Sequence, residues 1–298
     1  MKVKLINYTT NALETLLYTK NTRLQAESSI GDVVAWSEEK KLKELDYMLK
    51  TIQSSWEFVD YTFEITGVSR AFTHQLVRTR DGSYAQQSQR TVDMSESFEF
   101  VYPESINKLT LKEDFDKGST ADYIMNDLLE EIETTYQNLI KEGVPPQDAR
   151  SILPTNTATN IIAKFDLRTL SHMAKTRLCT RTQGEYQVIF KAMKESVVAV
   201  HPWAEKFIRV YCSAVGVCQF PNFKECPIKP EIFNPDEGRT CADSSNYKMP
   251  DNWIRLTEIP TNDLIEEDDL TIPATKDEIE AGFRKMKFEA TPLWKGNS

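Results

Sequence analysis

The chain has 298 residues, 40% of them apolar and 27% charged, which is ample for a full hydrophobic core. Its 36 basic and 45 acidic side chains leave a net charge of −9, against a nucleic-acid coat protein but compatible with arginines gathered locally around a small anion. No apolar run approaches the ~20 residues that span a bilayer, and residues 1–7 lack a signal peptide's apolar core, so a cytoplasmic protein with neither membrane nor nucleic-acid partners is expected.

Residues 2–9 alternate, with Val3 and Leu5 beside Ile6 and Tyr8, and predict a first strand. Helices follow at 11–19 and 38–52; in the second, Leu42, Leu45, Met48, Leu49 and Ile52 recur three and four apart. Residues 56–66 are rich in β-branched and aromatic side chains and predict a strand that Gly67 breaks. Ser69 then caps a helix to about Thr79, and Asp81-Gly82 supplies a turn. A polar connection at 103–117 leads to a long amphipathic helix at 119–142, striped by Tyr123, Ile124, Leu128, Ile132, Tyr136 and Ile140 and stopped at Gly143. Pro145 opens a short helix through Arg150; a strand at 158–165 and helices at 167–178, 183–200 and 202–215 complete the series. From 220 onward lie eight of the thirteen prolines, the acidic run Glu266-Glu267-Asp268-Asp269, and one helical candidate at 276–287 capped by Thr275. This predicts one α+β domain over 1–215 and an acidic, proline-containing extension over 216–298.

Three histidines, His74, His172 and His201, are too few for a histidine-built metal site or a multi-histidine acid–base centre. The cysteines at 212, 218, 226 and 241 lack a Cys-x-x-Cys knuckle, so reduced thiols are expected and no metal. Cys179 reads as a helix-end core residue. Arginine carries the signal instead. Arg70, Arg78, Arg80 and Arg90 fall within one short segment, with Ser83, Gln86, Gln87 and Ser88 between them. Guanidinium forks beside hydroxyl and amide donors suit phosphate, although Arg78 and Arg80 also fit a solvated helix end that neutralises the helix dipole. A second group, Arg150, Arg168, Arg177 and Arg181, lies downstream, with Arg168 and His172 on one helical face. Spacing alone names no substrate.

The segment from Gly67 to Arg90 resembles the signature of the flavin-dependent thymidylate synthases: Arg-His-Arg, seven residues, then Ser, usually with Arg two positions later. Here Arg78-Thr79-Arg80 and Ser88 with Arg90 keep that spacing without a gap. The resemblance continues through Gly143–Pro154 with Arg150, through Asp166–Arg177, and into His201-Pro202-Trp203, covering roughly residues 1–215. It implies an α+β fold with helices around an antiparallel sheet, and a homotetramer whose active sites are each shared among subunits. Each site would bind FAD, a pyrimidine deoxynucleotide monophosphate (dUMP), NADPH and methylenetetrahydrofolate. Carried over residue by residue, the flavin set is Arg78, Thr79 and Arg80 with Ser29, Ser54, Glu57, Arg168 and His172. The nucleotide set is Gln75, Ser88, Arg90 and Arg150, with Ser83, Gln86 and Gln87 in the segment that wraps the nucleotide. Arg177 is the catalytic residue and holds the pyrimidine ring.

The chain departs from the family pattern at several histidines. The signature histidine is Thr79; Ile52 stands where another shortly precedes the strand; the usual Phe-Glu-His reads Trp56-Glu57-Phe58; Arg181 replaces one after Arg177; and Thr91 replaces a tyrosine. The phosphate and pyrimidine positions keep their residues, whereas positions near flavin and folate have changed. Reductive methylation of dUMP to dTMP is the expected reaction. The alternatives are another flavin-dependent C5 modification of dUMP or dCMP, such as hydroxymethylation, and a non-catalytic nucleotide- or flavin-binding homologue.

Overall fold

Strand alternation and two bends place the site. The computed structural model describes residues 1–23, 29–51, 53–95, 98–106, 121–215, 218–220 and 226. Strands β1 (Lys2–Tyr8), β2 (Asp60–Ser69), β3 (Ser83–Gln86) and β4 (Ala158–Asp166) form one antiparallel sheet in the order β1-β2-β4-β3. Along β2, Tyr61, Phe63 and Ile65 are buried while Thr62 and Glu64 are not; in β4, Ile161, Ala163 and Phe165 repeat the pattern. A period of two puts one face of the sheet in the core, where each such side chain contributes about 1.5–3 kcal/mol. Leu5 pairs with Phe63, and Phe63 with Ala163, so the register brings apolar residues of three strands onto one line.

The helices cover that face. Helix α1 (Ala12–Arg23) and α3 (Glu38–Leu49) flank the short α2 (Ile30–Val34). Ser37 caps α3 by accepting the Lys40 N–H at 3.3 Å. Lys41 is buried on its inner face and answers Glu14 of α1 at 2.8 Å. α4 (Arg70–Leu76) follows β2 directly; α5 (Ala121–Lys141) and α6 (Pro146–Ala149) precede β4. α7 (Leu167–Arg177), capped by Asp166, follows it, and α8 (Gly184–Val200) buries Ile189, Phe190, Met193 and Val197 under the sheet. His201 ends α8 as a core residue, with Nδ1 3.0 Å from the Tyr61 hydroxyl and its ring stacked on Trp203; burial pushes its pKa down. α9 (Tyr211–Val215) is the last described helix.

The α+β prediction matches this architecture, and several boundaries move. Residues 53–58 form a 3-10 helix that buries Ser55 and Trp56, so β2 begins at Asp60 rather than Trp56. Gly67 does not end the strand: at φ +64° it makes a bulge between Ile65 and Val68, and the strand runs on to Ser69. α4 ends at Leu76, which takes Arg78 off the helical face shared by Arg70 and His74. The predicted helix at 202–215 is a 3-10 segment (Pro202–Lys206) and then α9. Leu42, Tyr123, Ile124 and Leu128 are exposed; α5 buries Leu129 and Tyr136 instead. Ile52, Cys241, the acidic run at 266–269 and the helix predicted at 276–287 lie outside the described residues, as does most of the connection predicted at 103–117. Among the described residues, no helix is long and apolar enough to cross a membrane.

Candidate active site

The bulge at Gly67 turns β2 into α4. Ser69 caps α4 by accepting the Phe72 N–H at 3.0 Å, while its own N–H and hydroxyl both donate to the Glu185 carboxylate at the start of α8. One carboxylate thereby fixes the helix that begins the arginine segment to the helix that follows Arg177.

Beyond α4, the chain closes a tight turn through Arg78, Thr79 and Arg80. Gly82 N–H donates to the Thr79 carbonyl at 3.2 Å, and the Tyr84 hydroxyl sits 2.6 Å from that carbonyl and 3.0 Å from the Leu76 carbonyl. Burial pushes the Tyr84 phenol up to about 12, so it remains a donor across neutral pH. A Cβ at Gly82 would lie 2.5 Å from both the Tyr84 hydroxyl and Phe165 Cε1. Gly82→Ala is therefore expected to lose about 1–3 kcal/mol of stability through overpacking, measured as a lowered denaturant midpoint; an unchanged midpoint would show that the turn relaxes freely.

Each side chain singled out in the sequence has a definite place. Arg78, Arg80 and Arg90 are exposed and have no carboxylate partner among the described residues. Gln86 donates to the Thr73 hydroxyl at 2.8 Å. Gln87 N–H bonds Asn160 O at 2.9 Å, while the Gln87 carbonyl receives Arg70 Nη1 at 3.5 Å. Ser88 Oγ accepts the Arg90 N–H at 3.2 Å, tightening the loop that carries both, and Ser83 is exposed at the start of β3. Arg150 donates Nε–H to the Gln147 carbonyl at 3.1 Å and lies close enough to Arg70 to depress its pKa, after burial, which is the larger cause. Gln75 bonds Gln183, at the entry to α8.

Arg177, at the end of α7, comes back to this group. Its Cζ lies 4.2 Å over the Tyr186 ring, and Thr79 abuts the hydroxyl of that same tyrosine. Thr79 and Arg177, from two separate motifs, therefore meet on one buried side chain. Nothing in the sequence reading singled out Tyr186, Tyr84 or Glu185. Tyr186 falls in step with Ile189, Phe190 and Met193 on the buried side of α8, so in sequence it is indistinguishable from core.

The remaining flavin candidates lie elsewhere. Ser54 and Glu57 are exposed on the 3-10 helix before Asp60, and Glu57 pairs with Arg168; His172 is exposed one turn further along α7. Ser29 uses its hydroxyl and N–H in a capping box with Asp32 at the start of α2. Asp60 pairs with Asp166, and Ser69 with Ala158, so Ser54, Glu57, Arg168 and His172 flank one end of the β2–β4 pair while α4 leaves β2 at the other. The chain then doubles back: Ser83 pairs with Lys164, and a Cβ at Gly82 would meet Phe165, so the turn through Arg78 and Arg80 leads into β3 near the Asp166 end of β4. One subunit thus brings Thr79 and Arg177 together on Tyr186, and pairs Glu57 with Arg168 beside the end of β2 that carries Asp60.

The electrostatics suit anions. Exposed guanidiniums without carboxylate partners among the described residues, in a segment that also carries glutamines and serines, suit an anionic ligand. Among the described residues, no group of histidine, cysteine and carboxylate side chains is placed to hold a metal ion, and Cys179, Cys212, Cys218 and Cys226 form no disulfide.

Comparison with known proteins gives a consistent result. The family model described as thymidylate synthase complementing protein matches residues 4–203. The chain is 32% identical over 214 residues to the flavin-dependent thymidylate synthase of Sulfurisphaera tokodaii, covering 71% of this chain and 79% of that one. It is 35% identical over 228 residues to the flavin-dependent thymidylate synthase of Pyrococcus furiosus, with 73% and 89% covered. A third protein of that name, from Clostridium tetani, is 30% identical over 230 residues, with 71% and 88% covered.

Proposed function

The chain belongs to the thymidylate synthase complementing protein family, the flavin-dependent thymidylate synthases, and from that footing we propose that it converts dUMP to dTMP with FAD, methylenetetrahydrofolate and NADPH. It is a flavin-dependent enzyme that methylates the pyrimidine of dUMP. The observation that carries the finer reading is the meeting of Arg177 with Thr79 on Tyr186, which joins two motifs far apart in sequence into one site.

The residues divide the work by charge and position. Arg90 and Arg150, with Gln75 and Ser88, hold the nucleotide phosphate, and residues 83–87 line its path. Arg177 lies against the pyrimidine, where a guanidinium near the ring oxygens favours the negative charge that makes C5 nucleophilic. Arg78 and Arg80, flanking Thr79, face the flavin phosphates. Reduced flavin, when bound, supplies the hydride that completes the methyl group, so the protein's task is to align the reactants and keep charge balanced. No thiol attack on the pyrimidine is required, and Ser88 binds rather than attacks.

We assign this activity to residues 1–215 and to a homotetramer with shared sites. The exposed Tyr123, Ile124 and Leu128 of α5 give the subunit an apolar face to bury.

The simplest test is colour. Purified protein is expected to carry flavin absorbance or to gain it on adding FAD, and protein that does neither would contradict the assignment. Thr79 supplies a second test. A threonine offers one hydroxyl where imidazole offers a cationic or tautomeric donor near neutral pH. Arg78 and Arg80 maintain the positive field beside it, so FAD binding is expected to persist. Thr79→His is expected to raise turnover with methylenetetrahydrofolate. Unchanged kinetics for every substrate would show that position 79 does not touch the chemistry.

A further inference from the structure

Tyr186 is fully buried, with its ring under the Arg177 guanidinium at 4.2 Å and edge-on to Phe72 at 4.9 Å. It is wedged between α4, which carries Phe72 and Gln75, and the end of α7, which carries Arg177. Its hydroxyl is buried without a hydrogen-bond partner. An orphaned buried hydroxyl is costly, and phenylalanine would fill the same space without it, so its presence calls for a use. Burial raises the phenol pKa, while Arg177 and the Thr79 hydroxyl, both beside the oxygen, act against that rise. Arg177 has no carboxylate partner among the described residues, and its guanidinium rests on the tyrosine ring instead.

We propose that Tyr186 is the positioning residue for Arg177: its ring seats the guanidinium, and its hydroxyl accepts an Arg177 N–H while donating to the Thr79 hydroxyl. The donor and acceptor roles are consistent along the chain, since guanidinium only donates and a threonine hydroxyl can accept. Position 79 thereby acts on the pyrimidine arginine through a phenol rather than through an imidazole of its own. The proposal rests on the reading that Arg177 holds the pyrimidine.

The test measures dUMP affinity by titration calorimetry on the flavin-loaded full chain, with kcat and melting temperature recorded alongside. Tyr186→Phe keeps the ring and is expected to melt no lower than the parent, to bind dUMP about threefold more weakly and to turn over more slowly. Tyr186→Leu removes the ring and is expected to weaken dUMP about tenfold. In an Arg177→Ala background, neither change is expected to weaken dUMP further, because both act through that guanidinium. Unchanged affinity and kcat in Tyr186→Phe, or losses in Tyr186→Leu that multiply with those of Arg177→Ala, would overturn the proposal while leaving the role of Arg177 intact. Unaltered dUMP affinity in Arg177→Ala alone would instead overturn the role of Arg177.

Discussion

Replacing Arg177 with alanine is expected to lower turnover of dUMP by about 10²–10³-fold, the range seen when one preorganised donor to a developing anion is removed. The arginine lies at the end of α7 with its guanidinium held over an aromatic face instead of in an ion pair, so its charge is not spent within the described subunit. Neutralising it leaves the developing charge on the pyrimidine without its nearest cation. The side chain is half-buried, and its removal opens little core, so the melting temperature is expected to change far less than the rate. Single-turnover measurement of dTMP formation checks this. A variant that keeps parental rates would place the pyrimidine elsewhere.

The second large effect concerns the phosphate. Arg90→Ala and Arg150→Ala are each expected to cost about 1.5–3 kcal/mol of dUMP binding, the worth of a charge-assisted hydrogen bond. The two differ in the ligand-free protein. Arg150 is packed near Arg70, and the repulsion between these guanidiniums adds to burial in lowering the Arg70 pKa. Without nucleotide, Arg150→Ala relieves that repulsion, so its melting temperature is expected to be no lower than the parent's even as affinity falls. Arg90 is exposed on a loop held by Ser88 and is expected to leave stability unchanged. Flavin absorbance is expected to survive both changes. Arg90→Ala that binds dUMP normally but loses FAD would contradict the division of the arginines.

Much of this is legible in the sequence because the controlling signals are local. The alternation of Tyr61, Phe63 and Ile65 gives a half-buried strand, Ser69 and Asp166 act as the helix caps their side chains favour, and the Arg78 to Ser88 spacing identifies the segment. The misplacements arise where long-range packing decides. Trp56 has the composition of a strand residue but fills a core position from a 3-10 turn, and Gly67 reads as a terminator although its partner strand carries the ladder past it. Tyr123, Ile124 and Leu128 form the expected stripe, yet α5 buries only its later residues within the subunit. At the site, the sequence separates the two arginine groups, and nothing local tells that Tyr186 joins Arg177 to Thr79 or that Glu185 fastens Ser69. Those contacts depend on how α8 lies against α4, which no short motif encodes.

Reductive methylation of dUMP changes the mass of the nucleotide, so mass spectrometry of the product checks it. The protein is incubated with FAD, NADPH and methylenetetrahydrofolate, with dUMP in one reaction and dCMP in another. The expected result is dUMP converted to a product heavier by one CH2 unit that comigrates with dTMP, and dCMP left unchanged. A product that carries an additional oxygen, conversion of dCMP in place of dUMP, or recovery of both nucleotides intact from flavin-loaded protein would contradict it.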